Sequence, residues 1–312
     1  MAPAPLRIAT RKSALALWQA EHVAARLRAL EPGRPVELVP MTTEGDRNLG
    51  TSLAKAGGKG LFIKELEQAL AEDRAEIAVH SLKDLPVLLA PEFSLAAVLE
   101  REEPYDAFLS RRYDSFEALP PGARVGSSSL RRQSQLLNRR PDLRIEPLRG
   151  NVDTRIKKLE RGEYDAIVLA VAGLKRLGLA HTITKVLDPS LSLPAITQGV
   201  IGIECRAGDR STAGLLVRLN HAPTWTRSLA ERALSRGLSG SCNLPIAGYA
   251  ELDGTSLTLQ GCVGSPDGQR LIRGRAAGPA ADPEALGLRL AGDLLAQGAD
   301  ELLKQATEAM RS

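Results

Sequence analysis

The sequence predicts an α/β protein: two doubly wound domains linked by a double crossover hinge, followed by a small α+β domain. Three observations carry this. From residue 6 to about residue 177, short apolar runs alternate with stretches of helical spacing, the signature of repeated βα units and a parallel sheet. A late apolar run, Val200-Ile201-Gly202-Ile203-Glu204, fits as a strand returning to the first sheet, so the chain crosses twice and leaves a cleft between two domains. Past about His221, period-two stretches and a long amphipathic helix take over. The expected domains are 1–99 with 200–217, then 100–199, then 218–312.

Leu6 to Thr10 is the first strand. Ser13 can cap a helix running to Leu30, with Ala16, Ala20, Val23, Leu27 and Leu30 on one face and Pro32-Gly33 as its stop. Val36 to Met41 is the second strand. Residues 42–60 are polar and glycine-rich and read as a loop or lid; Lys59-Gly60 breaks the G-x-x-x-x-G-K-[ST] pattern of a phosphate loop. Leu61 to Glu72 is a helix with Leu61, Ile63, Leu66 and Leu70 inward, and Ile77 onward is a buried strand ending in the turn Ser81-Leu82-Lys83-Asp84. Phe93 to Leu99 is the next strand, and the charged, proline-bearing run Arg101-Glu102-Glu103-Pro104 marks a crossing.

The second domain repeats the alternation. A strand ends near Val125, helices span Ser129–Asn138 and Val152–Leu159, and strands span Leu143–Leu148 and Ala166–Val171. In the last domain Thr224 to Ser235 reads as a helix. Ile246–Ala250, Ser256–Val263 and Arg270–Arg275 read as antiparallel strands, and Ala285–Ala309 as one long helix.

Composition narrows the function. The chain is 43% hydrophobic and 25% charged, typical of a protein with real cores. No apolar run approaches a membrane span, and the N-terminus lacks the pattern of a signal peptide, so a cytoplasmic location is expected. Net charge is +4, but residues 124–176 hold 13 Lys and Arg against 6 Asp and Glu. Such concentration suits an anionic partner. Aromatics are only 3% and no basic tract or base-stacking motif occurs, which favours small polyanions over nucleic acid.

Three turns carry candidate chemistry. Arg11, Lys12 and Ser13 fall in a strand-to-helix turn, where free backbone N–H groups attract anions; a merely exposed basic turn reads the same way. Lys83 and Asp84 follow a strand's carboxyl end, where α/β sheets bind ligands; a turn-capping aspartate beside a solvated lysine reads the same way. Gly126-Ser127-Ser128-Ser129-Leu130-Arg131-Arg132 places hydroxyls and two arginines at a helix start, and Arg149-Gly150-Asn151-Val152-Asp153-Thr154-Arg155 repeats that layout. His22, His80, His181 and His221 are scattered and no cysteine pair has ligand spacing, so no metal site is expected. Cys205 and Cys262 lie in apolar or alternating strands and read as core. Cys242 lies in the small-residue loop Leu238-Ser239-Gly240-Ser241-Cys242-Asn243-Leu244-Pro245, where it reads equally as a nucleophile or attachment point and as a merely accessible thiol.

Taken in order, these pieces resemble the porphobilinogen deaminase (hydroxymethylbilane synthase) family along essentially the whole chain. The matching stretches are Arg7-Ile8-Ala9-Thr10-Arg11, Lys55-Ala56-Gly57-Gly58-Lys59-Gly60-Leu61-Phe62, Val79-His80-Ser81-Leu82-Lys83-Asp84, Gly126 to Arg132, and Leu148 to Arg155. Leu169-Ala170-Val171-Ala172-Gly173-Leu174-Lys175-Arg176-Leu177-Gly178 and the cysteine loop complete the set.

The resemblance implies that the first two domains are similar to periplasmic binding proteins and that the chain is a monomer. It implies a dipyrromethane cofactor on a thioether at Cys242, and head-to-tail coupling of four porphobilinogen molecules with loss of ammonia to give hydroxymethylbilane. Arg11, Arg131, Arg132, Arg149, Arg155 and Arg176, with Lys55, Lys59 and Lys83, are then the matching positions for pyrrole carboxylates. Ser13, Ser81, Ser127, Ser128 and Ser129 would add hydrogen bonds, and Asp84 would stabilise the azafulvene cation left by ammonia and handle protons. The sequence departs from the family pattern at Ser241, at Thr197 in Thr197-Gln198-Gly199, and at Ser127, which puts loop geometry in question but removes no charged or nucleophilic group. The rival expectation is a two-domain small-anion binding module without catalysis. The third domain bearing Cys242 argues against it.

Overall fold

The computed structural model describes residues 4–47, 63–239 and 244–311. Its first elements are β1 (Leu6–Arg11), α1 (Ala14–Leu30), β2 (Val36–Met41), α2 (Glu44–Arg47), α3 (Lys64–Ala71), β3 (Ile77–Ser81) and β4 (Phe93–Val98). Next come β5 (Asp106–Leu109), β6 (Arg124–Gly126), α4 (Leu130–Arg139), β7 (Arg144–Glu146), α5 (Val152–Glu160), β8 (Ala166–Ala170), α6 (Val171–Arg176) and β9 (Lys185–Val186). The chain then forms β10 (Ile201–Arg206), α7 (Arg210–Val217), α8 (Ala222–Gly237), β11 (Ile246–Asp253), β12 (Ser256–Gly264), β13 (Leu271–Pro279), α9 (Pro283–Ala296) and α10 (Ala299–Arg311). Two compact units result: Met1–Glu102 with Val200–Trp225, and Glu103–Gly199 with Thr226–Ser312.

The first unit holds a five-stranded sheet of order β2-β1-β3-β10-β4. Strands β2, β1 and β3 run parallel, whereas β10 pairs antiparallel with both β3 and β4. The returning strand expected at Val200–Glu204 is therefore present, but it makes the sheet mixed rather than parallel. A second sheet, β7-β6-β8-β5-β9, follows the same plan: β7, β6 and β8 are parallel and β5 is reversed. In each sheet the reversed strand is the one receiving the chain as it arrives from the other unit. A parallel neighbour needs a helical crossover within the same sheet, and an incoming strand is free of that requirement. Strands β5 and β9 escape a sequence reading, being four and two residues long, with Asp106 opening the first.

Amphipathic spacing explains the layers. Ser13 caps α1 by accepting from Ala16 N, and Ala20, Val23 and Leu27 pack on Ile8, Ile77, Val79 and Ile203. On the sheet's other face Leu66, Ala69 and Leu70 of α3 meet Ala9 and Ala78. In the second unit, Phe108, Val125 and Val168 face Leu136 of α4, while Leu109, Ile167 and Leu169 face Ile156 and Leu159 of α5.

The chain's last part is a three-stranded antiparallel sheet, β11-β12-β13, covered by α8, α9 and α10. The single helix expected over Ala285–Ala309 is two helices: Gly298 at φ +92 breaks it between α9 and α10, a conformation glycine adopts without strain. Gly287 lets α9 approach α8 closely, since a Cβ there would lie 2.7 Å from Ala233 Cβ and closer still to Ala230 O. Buried Glu231 of α8 accepts from Thr197 N at 2.6 Å and from Ala250 N at 2.9 Å. Thr197 itself sits at φ +56, a costly region for a β-branched residue. Among the described residues no helix is long and apolar enough to cross a membrane.

Candidate active site

In the first unit, parallel pairing sets the carboxyl ends of β1 and β3 side by side, and the chain leaves both in polar turns. From β1 come Arg11 and the cap residue Ser13; from β3 come Ser81 and the short 3-10 turn Leu82–Asp84. Buried Leu82 anchors that turn, its N–H donating to Val200 O at 2.9 Å. Gln19 of α1 donates to Ser81 Oγ at 2.9 Å and closes the floor. The result is a small cavity, open to solvent, lined by Arg11, Ser13, Gln19, His80, Ser81 and Asp84 among others.

Asp84 makes no hydrogen bond or ion pair among the described residues, and Lys83 shares its turn, half-buried like it. A carboxylate left unpaired at a cavity wall with an arginine in the same wall can meet a cation whose other end is anionic. His80 pairs with Glu204, Nε2 to Oε2, at 2.9 Å. Burial, followed by the charge of Glu204, pushes the neighbouring Glu67 carboxyl up.

In the second unit the same sheet edge carries the serine and arginine turns. Ser129 caps α4, accepting from Arg132 N; Ser127 Oγ accepts from Ser129 N at 3.2 Å, and Ser128 Oγ donates to Leu148 O at 3.0 Å. Arg131 and Arg132 point inward to Asp106, a residue the sequence reading missed. Arg131 Nη1 reaches Oδ2 at 2.8 Å and Arg132 Nη2 reaches Oδ1 at 2.7 Å. Ser192 Oγ and Gln198 Nε2 complete the shell at 2.7 and 2.9 Å. Burial alone would raise the Asp106 carboxyl, but the two guanidinium groups overcome it and hold the carboxyl far below its usual range. Two buried cations against one carboxylate leave positive charge over, and Arg131 Nε is buried without a partner among the described residues.

The other arginines are more varied. Arg149 is half-buried at the turn between β7 and α5, where Gly150 takes φ +108; Arg155 Nε donates to Gly150 O at 2.7 Å. Arg176 is buried and donates to Gly199 O at 2.7 Å. Lys55, Lys59 and Cys242 lie outside the described residues. Cys205 and Cys262 are buried, as their apolar strands suggest, and burial pushes the Cys262 thiol up to about 12.

Two family models account for most of the chain. The porphobilinogen deaminase dipyromethane cofactor binding domain matches residues 6–214, and the porphobilinogen deaminase C-terminal domain matches residues 225–296. The chain belongs to the porphobilinogen deaminase family. Its activity is the polymerisation of four porphobilinogen molecules to hydroxymethylbilane, with release of ammonia, in tetrapyrrole biosynthesis, and its cofactor is dipyrromethane. Solved structures similar to it include the BvgS periplasmic VFT2 domain of Bordetella pertussis, 14% identical with TM-score 0.44, covering 70% of this chain and 87% of that one. A putative methionine-binding lipoprotein of Bacillus subtilis is 15% identical with TM-score 0.43, covering 70% and 90%. The periplasmic aliphatic sulphonate binding protein of Escherichia coli is 15% identical with TM-score 0.41, covering 76% and 71%.

The family's cofactor carries acidic side chains on each pyrrole, and the donors present fit such a group. Arginines, serine hydroxyls and helix-start N–H groups occur at the sheet edges, and the buried Arg131 Nε is a donor without an acceptor among the described residues.

Proposed function

We propose that Asp84 is the catalytic carboxylate of this reaction and that Cys242 carries the dipyrromethane as a thioether. The observation that supports the first part is the Asp84 carboxylate, unpaired among the described residues, in a cavity that also presents Arg11 and Ser13. Held there, dipyrromethane supplies the nucleophilic α-carbon from which the product chain starts. Arg11, Lys83, Arg149, Arg155 and Arg176, with Lys55 and Lys59, bind pyrrole carboxylates; each such charged bond contributes on the order of 1.5–3 kcal/mol. Ser13, Ser81, Ser127, Ser128 and Ser129 orient those carboxylates. Arg131 and Arg132, already joined to Asp106, act as a fixed positive centre whose remaining donor takes a further carboxylate.

Asp84 faces the electron-poor carbon of the substrate as ammonia leaves, its negative charge placed where positive charge develops. Lys83 in the same turn meets the substrate's anionic end while Asp84 meets the cationic one. The reading divides the chain at 1–99 with 200–217, 100–199 and 218–312, and takes it to be a cytoplasmic monomer that does not bind nucleic acid.

Intact mass of the purified protein tests the attachment. An excess of two linked pyrrole units, absent from Cys242→Ser, and one-pyrrole steps on adding porphobilinogen are expected. The same excess in Cys242→Ser would move the attachment elsewhere.

A further inference from the structure

The cavity beside Asp84 is lined by one member of a buried ionisable pair that these assignments leave unused. His80 lies on β3 and Glu204 on β10. In their antiparallel register His80 stands opposite Gly202, and Glu204 opposite Ala78. The two side chains are therefore diagonal neighbours on one sheet face, within reach of each other. Gly202 brings no side chain of its own opposite His80, and a Cβ there would come 2.8 Å from Leu82 Cδ1.

The His80 side chain is 5% exposed and the Glu204 side chain fully buried. Glu204 Oε1 has no partner among the described residues, and neither does His80 Nδ1, while His80 lines the cavity that Asp84 lines. A core pair kept for stability alone is poorly explained, since a buried ion pair is commonly no better than apolar residues of similar volume.

We propose that His80, oriented by Glu204, is a proton acceptor of the cavity through its Nδ1. This rests on the reading that the Asp84 cavity is where the reaction occurs. With Glu204 ionised, Nε2 carries the proton it donates, and Nδ1 presents a lone pair to the cavity. When Nδ1 takes a proton, the imidazolium forms against the Glu204 carboxylate, which stabilises it, as in other carboxylate–histidine pairs.

The titratable groups interacting with the pair come from α3, which offers Glu67, and the cavity that His80 lines also presents Arg11 from β1, Asp84 from the turn, the cap residue Ser13 and Gln19 of α1. Each addition breaks one aminomethyl C–N bond, whose electron pair leaves with ammonia, and forms one C–C bond. The carbon that attacked then gives its proton to Nδ1, and the C–H pair returns to the pyrrole ring. That proton passes on to ammonia, which leaves as ammonium, so atoms and charge balance. Asp84 is thereby left ionised throughout, which its role toward the cation requires.

The test is nitrogen NMR of the full chain, purified with its cofactor and labelled at its four histidines. The expected neutral His80 is protonated at Nε2 and bare at Nδ1, and Glu204→Gln should weaken that tautomer preference. A neutral ring protonated at Nδ1 would overturn the proposal without any mutant having to fold.

His80→Gln should lower kcat by about 10²- to 10⁴-fold and remove one limb of its pH profile, with KM and intact mass unchanged. Wild-type kcat and pH profile in His80→Gln, beside an inactive Asp84→Asn, would overturn His80 alone. Wild-type turnover in Asp84→Asn would overturn the cavity reading and this proposal with it.

Discussion

Arg132 grips one oxygen of Asp106 twice: Nε and Nη2 both reach Oδ1, at 3.0 and 2.7 Å, inside the second unit where the carboxylate has no contact with solvent. Together with Arg131 on Oδ2, this makes Asp106 the internal counter-ion of the arginine helix.

Removing that carboxylate leaves two buried guanidinium groups uncompensated. Asp106→Ala should cost about 3–5 kcal/mol, the range for breaking a buried pair from one side. Urea midpoints of the two proteins measure it.

The same carboxylate ties stability to acidity. Its pKa is depressed in the folded chain, so its contribution is complete above the unfolded value of about 3.9 and is lost as pH falls below that. The stability gap between wild type and Asp106→Asn should be full at neutral pH and narrow in acid. A gap independent of pH would remove the ionised Asp106 from the account.

Asp84→Glu retains the charge but extends it by one methylene from the turn after Leu82. Porphobilinogen should still bind, while single turnovers slow by about 10²-fold or more, the usual cost of misplacing a group aimed at developing charge. Quenched-flow turnover with parallel binding measurements separates the two effects, and near-normal turnover would end the role given to Asp84.

Cys205 and Cys262 should resist alkylation in the native chain. The thiolate is the reactive form, and burial raises both thiols, Cys262 to about 12. Mass spectrometry after iodoacetamide should find neither labelled until urea is added.

Gly287→Ala tests the crossing of α8 and α9. The added methyl meets Ala233 Cβ and Leu234 N, both within 2.8 Å, and neither is the tip of a flexible side chain. Overpacking of this sort costs about 1–3 kcal/mol, visible as a fall in Tm with cofactor content unchanged.

The fold was legible where periodicity is long and clean: α1, the strand before Asp84 and the returning strand at Ile201 all follow from apolar spacing. Strand β5 was not, because four residues opened by an aspartate carry no period to detect. Strand direction was equally hidden, since β10 reads identically parallel or reversed. At the site, Arg131 and Arg132 were plain in the sequence, but their shared partner lies 25 residues away from the nearer of them and is defined only by packing. His80 and Glu204, 124 residues apart, meet through a sheet register that local sequence does not encode.

Glu231 gives the second unit an order of completion. Gln198 reaches Asp106 and Gly199 accepts from Arg176, and the strained residue just before them is held by a carboxylate some thirty positions downstream. That carboxylate in turn is shared with Ala250. Without Glu231, the Thr197 N–H loses its acceptor and the left-handed backbone there loses the bond that holds it. The turn that meets the arginine centre is thus closed by residues that follow it in the chain, and a change at Glu231 reaches Asp106 through Thr197 and Gln198.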